Sequence, residues 1–214
     1  MTTVKKNRLH YSQKKIKLCG KTLPLTIVSN KIDEISLLPP LEKELFMARL
    51  ERIEVRKGAT VISAGKTERY VYFIERGIAR AYKQTERGEA TIWFGADGDV
   101  MLSFLSFFRN EPGYESIEVL EESVLYRISG KQLQQLYSQY IHMANWGRKL
   151  AEYELIKTEQ RFMELQFKTA TERYQNLMRY TPTILQRVQL GYIASYLGIT
   201  QVSLSRIRAA AKGS

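Results

Sequence analysis

Hydrophobic spacing changes several times along this 214-residue chain, and the changes divide it. Residues 1–30 show no sustained period. They are expected to form a flexible basic arm that ends in a short apolar segment at 23–28. After Pro39 and Pro40, Leu41, Leu45, Ala48 and Arg49 fall on helical spacing with Phe46 beside them. From Arg52 the period becomes two. Ile53, Val55, Tyr70, Tyr72, Ile74, Ala79, Ala81, Ile92 and Phe94 sit in alternating segments, punctuated by Gly58, Gly65, Gly77, Gly88, Gly95 and Gly98. Short strands joined by glycine turns predict an antiparallel sandwich or roll over about residues 50–128, with further strands at 116–120 and 124–128.

Ser129 followed by Gln132 reads as a capping box, so a helix starts there, with a break near Tyr140. A long helix is predicted over 142–167. On it Trp146, Leu150, Tyr153, Ile156, Gln160, Met163 and Phe167 recur at steps of 4, 3, 3, 4, 3 and 4. This near-heptad stripe suits a seam between two subunits, with Gln160 as a polar register residue. The competing arrangement packs the stripe on the chain's own β domain. Another helix spans 169–180 and ends at Thr181-Pro182.

Residues 189–213 carry the most specific pattern. Leu190, Ile193, Ala194 and Leu197 form one buried helical face. Gly198 sits where the chain must turn sharply, Ile199 plugs the corner, and Thr200 is a good N-cap for a second helix. Leu204, Ile207 and Ala211 are expected to point inward. The outward face is then Gln201, Val202, Ser205, Arg206 and Ala209. This pattern predicts a helix-turn-helix for double-stranded DNA. Gln201 can pair bidentately with adenine, Arg206 with guanine, and Val202 can touch a thymine methyl. Thr200, Ser203, Arg208 and Lys212 are placed for phosphates, with Arg187 and Gln189 on the approach. An α-hairpin used for protein contact is the alternative.

Charge supports the nucleic-acid reading. The formal net charge is +11. Residues 1–24 hold seven Lys/Arg and no acid, and residues 168–214 hold seven Lys/Arg against Glu172 alone. The 143 residues between carry nineteen basic and twenty-one acidic side chains, so the excess sits at the two ends. A polyanion fits at least one end, although a basic arm also serves solubility. The composition, 44% hydrophobic, is that of a folded protein. No apolar run reaches the roughly 20 residues that cross a bilayer, so no membrane partner is expected. A single cysteine, Cys19, fits a reducing cytoplasm. With only His10 and His142 besides, no metal, cofactor or catalytic centre is expected, and the predicted roll holds neither His nor Cys, against a cupin-like metalloenzyme.

The fold expected is α+β. Residues 1–30 form the arm. Residues 31–140 form an N-terminal double-stranded β-helix, jelly-roll-like, with flanking helices. Residues 141–167 form a long dimerisation helix, and 168–214 an all-α helix-turn-helix domain.

The order of parts, with the stretches YFIERGIARAY at 72–82 and YIASYLGIT at 192–200, resembles the Crp/Fnr superfamily of bacterial transcription regulators over about residues 35–210. The wording is most similar to the Bacteroidetes-type branch. The resemblance implies a homodimer formed through the long helix, an effector pocket in the roll, a palindromic operator and contact with RNA polymerase. In cyclic-nucleotide-binding relatives a Gly-Glu pair holds the ribose and an Arg-Ser/Thr pair holds the cyclic phosphate. Here Gly98-Asp99 matches the first, and Glu115-Ser116 matches the second with the arginine replaced by glutamate. Unit-charge repulsion at close range is worth about 1–4 kcal/mol, which disfavours a cyclic phosphate and leaves the small-molecule effector unidentified. Arg109 could replace the missing charge, and Asp99 could simply be a turn residue. Of the relatives' base-reading residues only Arg206 is matched, so a different operator is expected. The chain stops soon after the recognition helix, so no β wing is expected, and the oxygen-sensing cysteine cluster is absent from the sequence.

Overall fold

The computed structural model describes residues 26–86 and 88–212, Lys212 by its backbone alone. Helices α1 (Thr26–Ile35) and α2 (Pro40–Met47) precede strands β1 (Glu51–Val55), β2 (Thr60–Ile62), β3 (Tyr70–Arg76), β4 (Ala79–Thr85), β5 (Gly88–Gly95) and β6 (Val100–Met101). A short helix α3 (Phe104–Arg109) leads to β7 (Ser116–Val119) and β8 (Ser123–Ser129). Helices α4 (Gly130–Gln139), α5 (Ile141–Phe167), α6 (Ala170–Tyr180), α7 (Pro182–Arg187), α8 (Leu190–Leu197) and α9 (Gln201–Lys212) complete the chain.

The fold is the α+β arrangement expected, with a jelly-roll-like sandwich. One antiparallel sheet has the order β1-β8-β3-β6 and the other β2-β7-β4-β5. Strand β3 shows why simple alternation understates this roll. Val71, Tyr72, Phe73 and Ile74 are all buried. Alternate side chains point to opposite faces. Tyr72 and Ile74 therefore meet Ala81, Ile117 and Leu125 between the sheets. Val71 and Phe73 meet the helices on the outer face.

That outer layer corrects two sequence expectations. Residues 26–30 belong to a helix, not to an arm; residues 1–25 lie outside the described residues. Val28, Ile32 and Ile35 fall at i, i+4 and i+7 on α1 and are buried. The backbone N–H of Val28 donates to Glu75 at 3.0 Å, so a strand carboxylate satisfies the first turn. Trp146 and Leu150, expected at a subunit seam, are buried within their own chain. Trp146 packs edge-on against Phe46 at 4.9 Å, and its indole N–H donates to the Ile32 carbonyl at 2.9 Å. The helical stripe is real, but its N-terminal half finds its partner in α1, α2 and β3.

Local capping follows the sequence closely. Ser129 and Gln132 form the capping box that starts α4, and Tyr140 ends it and starts α5. A second box, Thr169 with Glu172, starts α6. Glycine lets α5 cross α4 closely: a Cβ on Gly147 would lie 2.6 Å from the Tyr137 ring. The helices α3 and α7 escape a sequence reading because each is six residues long. That is too short for a helical period to register.

Candidate nucleic-acid interface and effector cavity

At the C-terminal end, α8 and α9 are joined by a tight turn. Gly198 adopts φ 69°, the left-handed region that glycine enters without strain. The Ile199 N–H returns to the Ala194 carbonyl at 3.0 Å. The Thr200 hydroxyl accepts from the Ser203 N–H at 3.2 Å and so caps α9. Ile193, Ala194, Leu197 and Leu204 are buried together, with Ile207 packed beside them. Ala211, expected inward, is exposed, because the hydrophobic cluster ends at Ile207.

The predicted base-reading face is open. Gln201, Val202, Ser205 and Arg206 are all exposed, as are Thr200 and Gln189. Ser203 and Arg208 are half-buried, and the side chain of Lys212 lies outside the described residues. Arg206 makes no ion pair among the described residues, so its guanidinium is available. Arg187 is engaged instead by Glu121, with Asp97 at 3.7 Å. Its place on the approach to phosphate is taken up by the roll, and these carboxylates hold its pKa above the ordinary value.

The α8–α9 hairpin is docked on the roll through α8, leaving α9 outside. Ser195 Oγ accepts from the Thr91 N–H at 2.9 Å and donates to the Glu89 carbonyl at 3.0 Å. Phe94 and Tyr196 rings lie 5.2 Å apart. Arg80 is the buried centre of this contact. It pairs with Glu118 and Glu89 and stacks 3.7 Å from the Tyr192 ring. Sequence reasoning passed over Arg80, since one charged residue in an alternating strand looks like a solvated position.

A cavity of about 200 Å3 opens between the roll and α5. Ile92, Trp93, Met101, Leu102 and Ile117 give it apolar walls from the roll. Glu115 enters from the approach to β7, and Glu154, Lys157 and Arg161 from α5. Burial raises the pKa of Glu154, opposed by Lys157. Burial alone would lower Lys157, but the Asp99 and Glu154 carboxylates outweigh it and hold the ammonium above its usual value.

Of the five residues expected at the effector pocket, only Glu115 lines this cavity. Arg109 does not replace the missing charge: its side chain is 69% exposed and pairs with Glu111 at the end of α3. Asp99 is a turn residue whose carboxylate accepts from the Ala96 N–H, while also facing Lys157 at 3.4 Å. Gly98 occupies the same turn, and the Ser116 hydroxyl at the start of β7 accepts from the Ala64 N–H at 3.1 Å. The apolar stripe of the long helix gives no sign of Lys157 and Arg161, which line the cavity from its other face.

On the C-terminal half of α5, the stripe turns outward. Ile156, Met163 and Phe167 are exposed, together with Leu155 and Phe162. Gln160 is exposed among them, whereas Tyr153 is half-buried and accepts from Lys31 at 3.1 Å. Among the described residues no group of three or more His, Cys, Asp or Glu could hold a metal ion. No described helix is long and apolar enough to cross a membrane.

Comparison with known proteins agrees with this architecture. Residues 52–140 match the family model of the cyclic nucleotide-binding domain. No curated protein sequence matches the chain. A putative transcriptional regulator of the Crp/Fnr family from Eubacterium rectale superposes with a TM-score of 0.64 at 19% identity, covering 79% of this chain and 82% of the other. FixK2 from Bradyrhizobium japonicum gives 0.63 at 20% identity, over 75% and 83%. The c-di-GMP responsive global regulator CLP from Xanthomonas campestris gives 0.62 at 18% identity, over 82% and 93%. At these identities the likeness is one of fold.

Proposed function

We propose that the chain is a sequence-specific DNA-binding transcription regulator of the Crp/Fnr type. It acts in the cytoplasm as a homodimer on a palindromic operator, in contact with RNA polymerase, and its roll senses a small-molecule effector. One observation supports the reading: a helical hairpin, capped at Thr200, whose second helix presents Gln201, Val202, Ser205 and Arg206 to solvent, the Arg206 guanidinium making no ion pair to a described residue. The exposed apolar half of α5 supports the homodimer. In such a dimer the two copies of α9 enter successive major grooves about 34 Å apart. Thr200, Ser203, Arg208 and Lys212 contact phosphates.

The test is selection of genomic fragments bound by the purified chain, followed by titration of the recovered site. A palindromic consensus is expected, with binding that weakens steeply as salt rises. Arg206→Ala costs about 1–3 kcal/mol at one base pair of each half-site and relaxes the preference there. Unchanged sequence preference in Arg206→Ala refutes the recognition-helix assignment.

Gating by a cyclic nucleotide is a second reading, favoured by the match of residues 52–140 to that domain model. Against it stand the Glu115 carboxylate in the cavity and the outward course of Arg109. Calorimetric titration with cyclic AMP and cyclic GMP separates the two, and micromolar binding of either restores the cyclic-nucleotide reading.

A further inference from the structure

Helix α8 is held at two tyrosines one turn apart, and the two holds come from different elements. Tyr192 lies against Arg80 of β4, its ring 3.7 Å from the guanidinium. Tyr196 lies against Arg161 of α5, at 3.6 Å. A spacing of four puts both rings on one helical face. Arg161 also donates one nitrogen to the Tyr196 carbonyl. Arg173 of α6 holds the next carbonyl, that of Leu197, through two nitrogens at 2.8 and 3.2 Å. Positive charge suits this carbonyl end of α8, which lies directly before the Gly198 turn that aims α9.

The two arginines at that end differ in how well they are satisfied. Arg173 gives its remaining nitrogen to the Lys168 carbonyl at 2.6 Å, so it works within the C-terminal helices. Arg161 leaves Nε and Nη1 buried with no hydrogen-bond partner among the described residues. Burial holds its pKa below the ordinary guanidinium value. Buried donors left unmade cost stability, and an apolar side chain of similar size avoids that cost. Stability of the fold therefore gives little reason for a guanidinium here. Its distinctive work is to tie α8 to α5, the helix whose exposed apolar face includes the adjacent Phe162.

From these observations we infer that Arg161 is a positioning residue for DNA binding. It fixes α9 relative to α5 and so, across the homodimer, sets the separation of the two copies of α9. The inference rests on the reading of the chain as a dimeric DNA-binding regulator and adds the contact that sets operator spacing.

The experiment uses the full chain, the palindromic operator recovered by genomic selection, and two versions of it with one base pair inserted or removed at the centre. Each change shifts one half-site by about 3.4 Å and rotates it about the duplex axis. The parent chain should bind the native spacing at least about tenfold tighter than either altered one. In Arg161→Met that ratio should fall to about threefold or less, with the preferred bases of each half-site unchanged. Its urea midpoint should stay level or rise. Arg161→Lys, which keeps a donor for the Tyr196 carbonyl, should recover part of the ratio. A lower urea midpoint in Arg161→Met makes the residue one that stabilises the fold and overturns the inference. A spacing ratio in Arg161→Met equal to the parent's also overturns it, as does a parent chain indifferent to spacing; in both cases operator binding itself, and with it the proposed function, stands. A parent chain that binds no palindromic operator removes the proposed function and this inference together.

Discussion

The two halves of α5 share one sequence rhythm and lead opposite lives. Met143, Trp146 and Leu150 in the first half are sealed inside their own domain. In the second half, Leu155, Ile156, Phe162, Met163 and Phe167 face water, while Glu154, Lys157 and Arg161 turn toward the roll. The ordinary order of a surface helix, apolar inward and charged outward, is inverted there. Contiguous exposed apolar surface of this kind marks a contact still to be made. A helical period therefore identifies a face, but whether the partner lies in the same chain or another is decided by what the rest of the fold brings alongside.

The largest effect should come from Trp146→Ala. Emptying that fully buried site costs about 3–5 kcal/mol, a large part of the about 5–15 kcal/mol that holds a domain folded. Urea unfolding should show it as a lower midpoint. A variant that only dissociates subunits, with its folded chain as stable as before, would erase the distinction between the halves. Phe162→Asp should do the opposite. Its change in chain stability should stay within about 0.5 kcal/mol, as for an exposed site. If the proposed homodimer forms through this face, sedimentation should report monomer for the variant and dimer for the parent chain, and operator affinity should fall with it. A dimer unaffected by Phe162→Asp and Ile156→Asp together places the subunit contact elsewhere.

Smaller effects sharpen the contrast. Ser195→Ala removes two hydrogen bonds between α8 and β5, at about 1 kcal/mol net. Hydrogen exchange at the Thr91 amide should quicken while the core around Trp146 keeps its protection. Gln160→Leu should have the least effect on the folded chain and slightly tighten association, since a polar residue on a helix seam gives register at some cost in stability. Weaker association in Gln160→Leu would indicate that Gln160 makes a specific hydrogen bond across the seam.

Local features were legible in the sequence because their causes are local. The Gly198 turn, the Thr200 cap and the Ser129–Gln132 box each depend on a few adjacent residues, and each stands where the spacing put it. The alternating strands were also visible, since the pleat imposes a period of two. What could not be read depends on distant parts of the chain meeting. Trp146 finds Ile32 across 114 residues, Arg80 meets Tyr192, and Arg161 reaches a cavity whose opposite wall is drawn from β5, β6 and β7. Arg109 was a reasonable substitute for a missing charge by proximity along the chain, but the course of α3 carries it to the surface.

The seating of α8 has a consequence for solubility. Strand β5 is the last in its sheet, so its outer backbone groups lack a strand neighbour. Ser195 occupies two of them, the Thr91 N–H and the Glu89 carbonyl, and the helix behind it covers the strand. An uncovered strand edge is a template for pairing with another molecule. Any rearrangement that lifts the C-terminal helices from the roll therefore bares an adhesive edge. The docked helix is a guard against self-association as well as a scaffold for α9, and a chain truncated before residue 189 should precipitate more readily than the intact one.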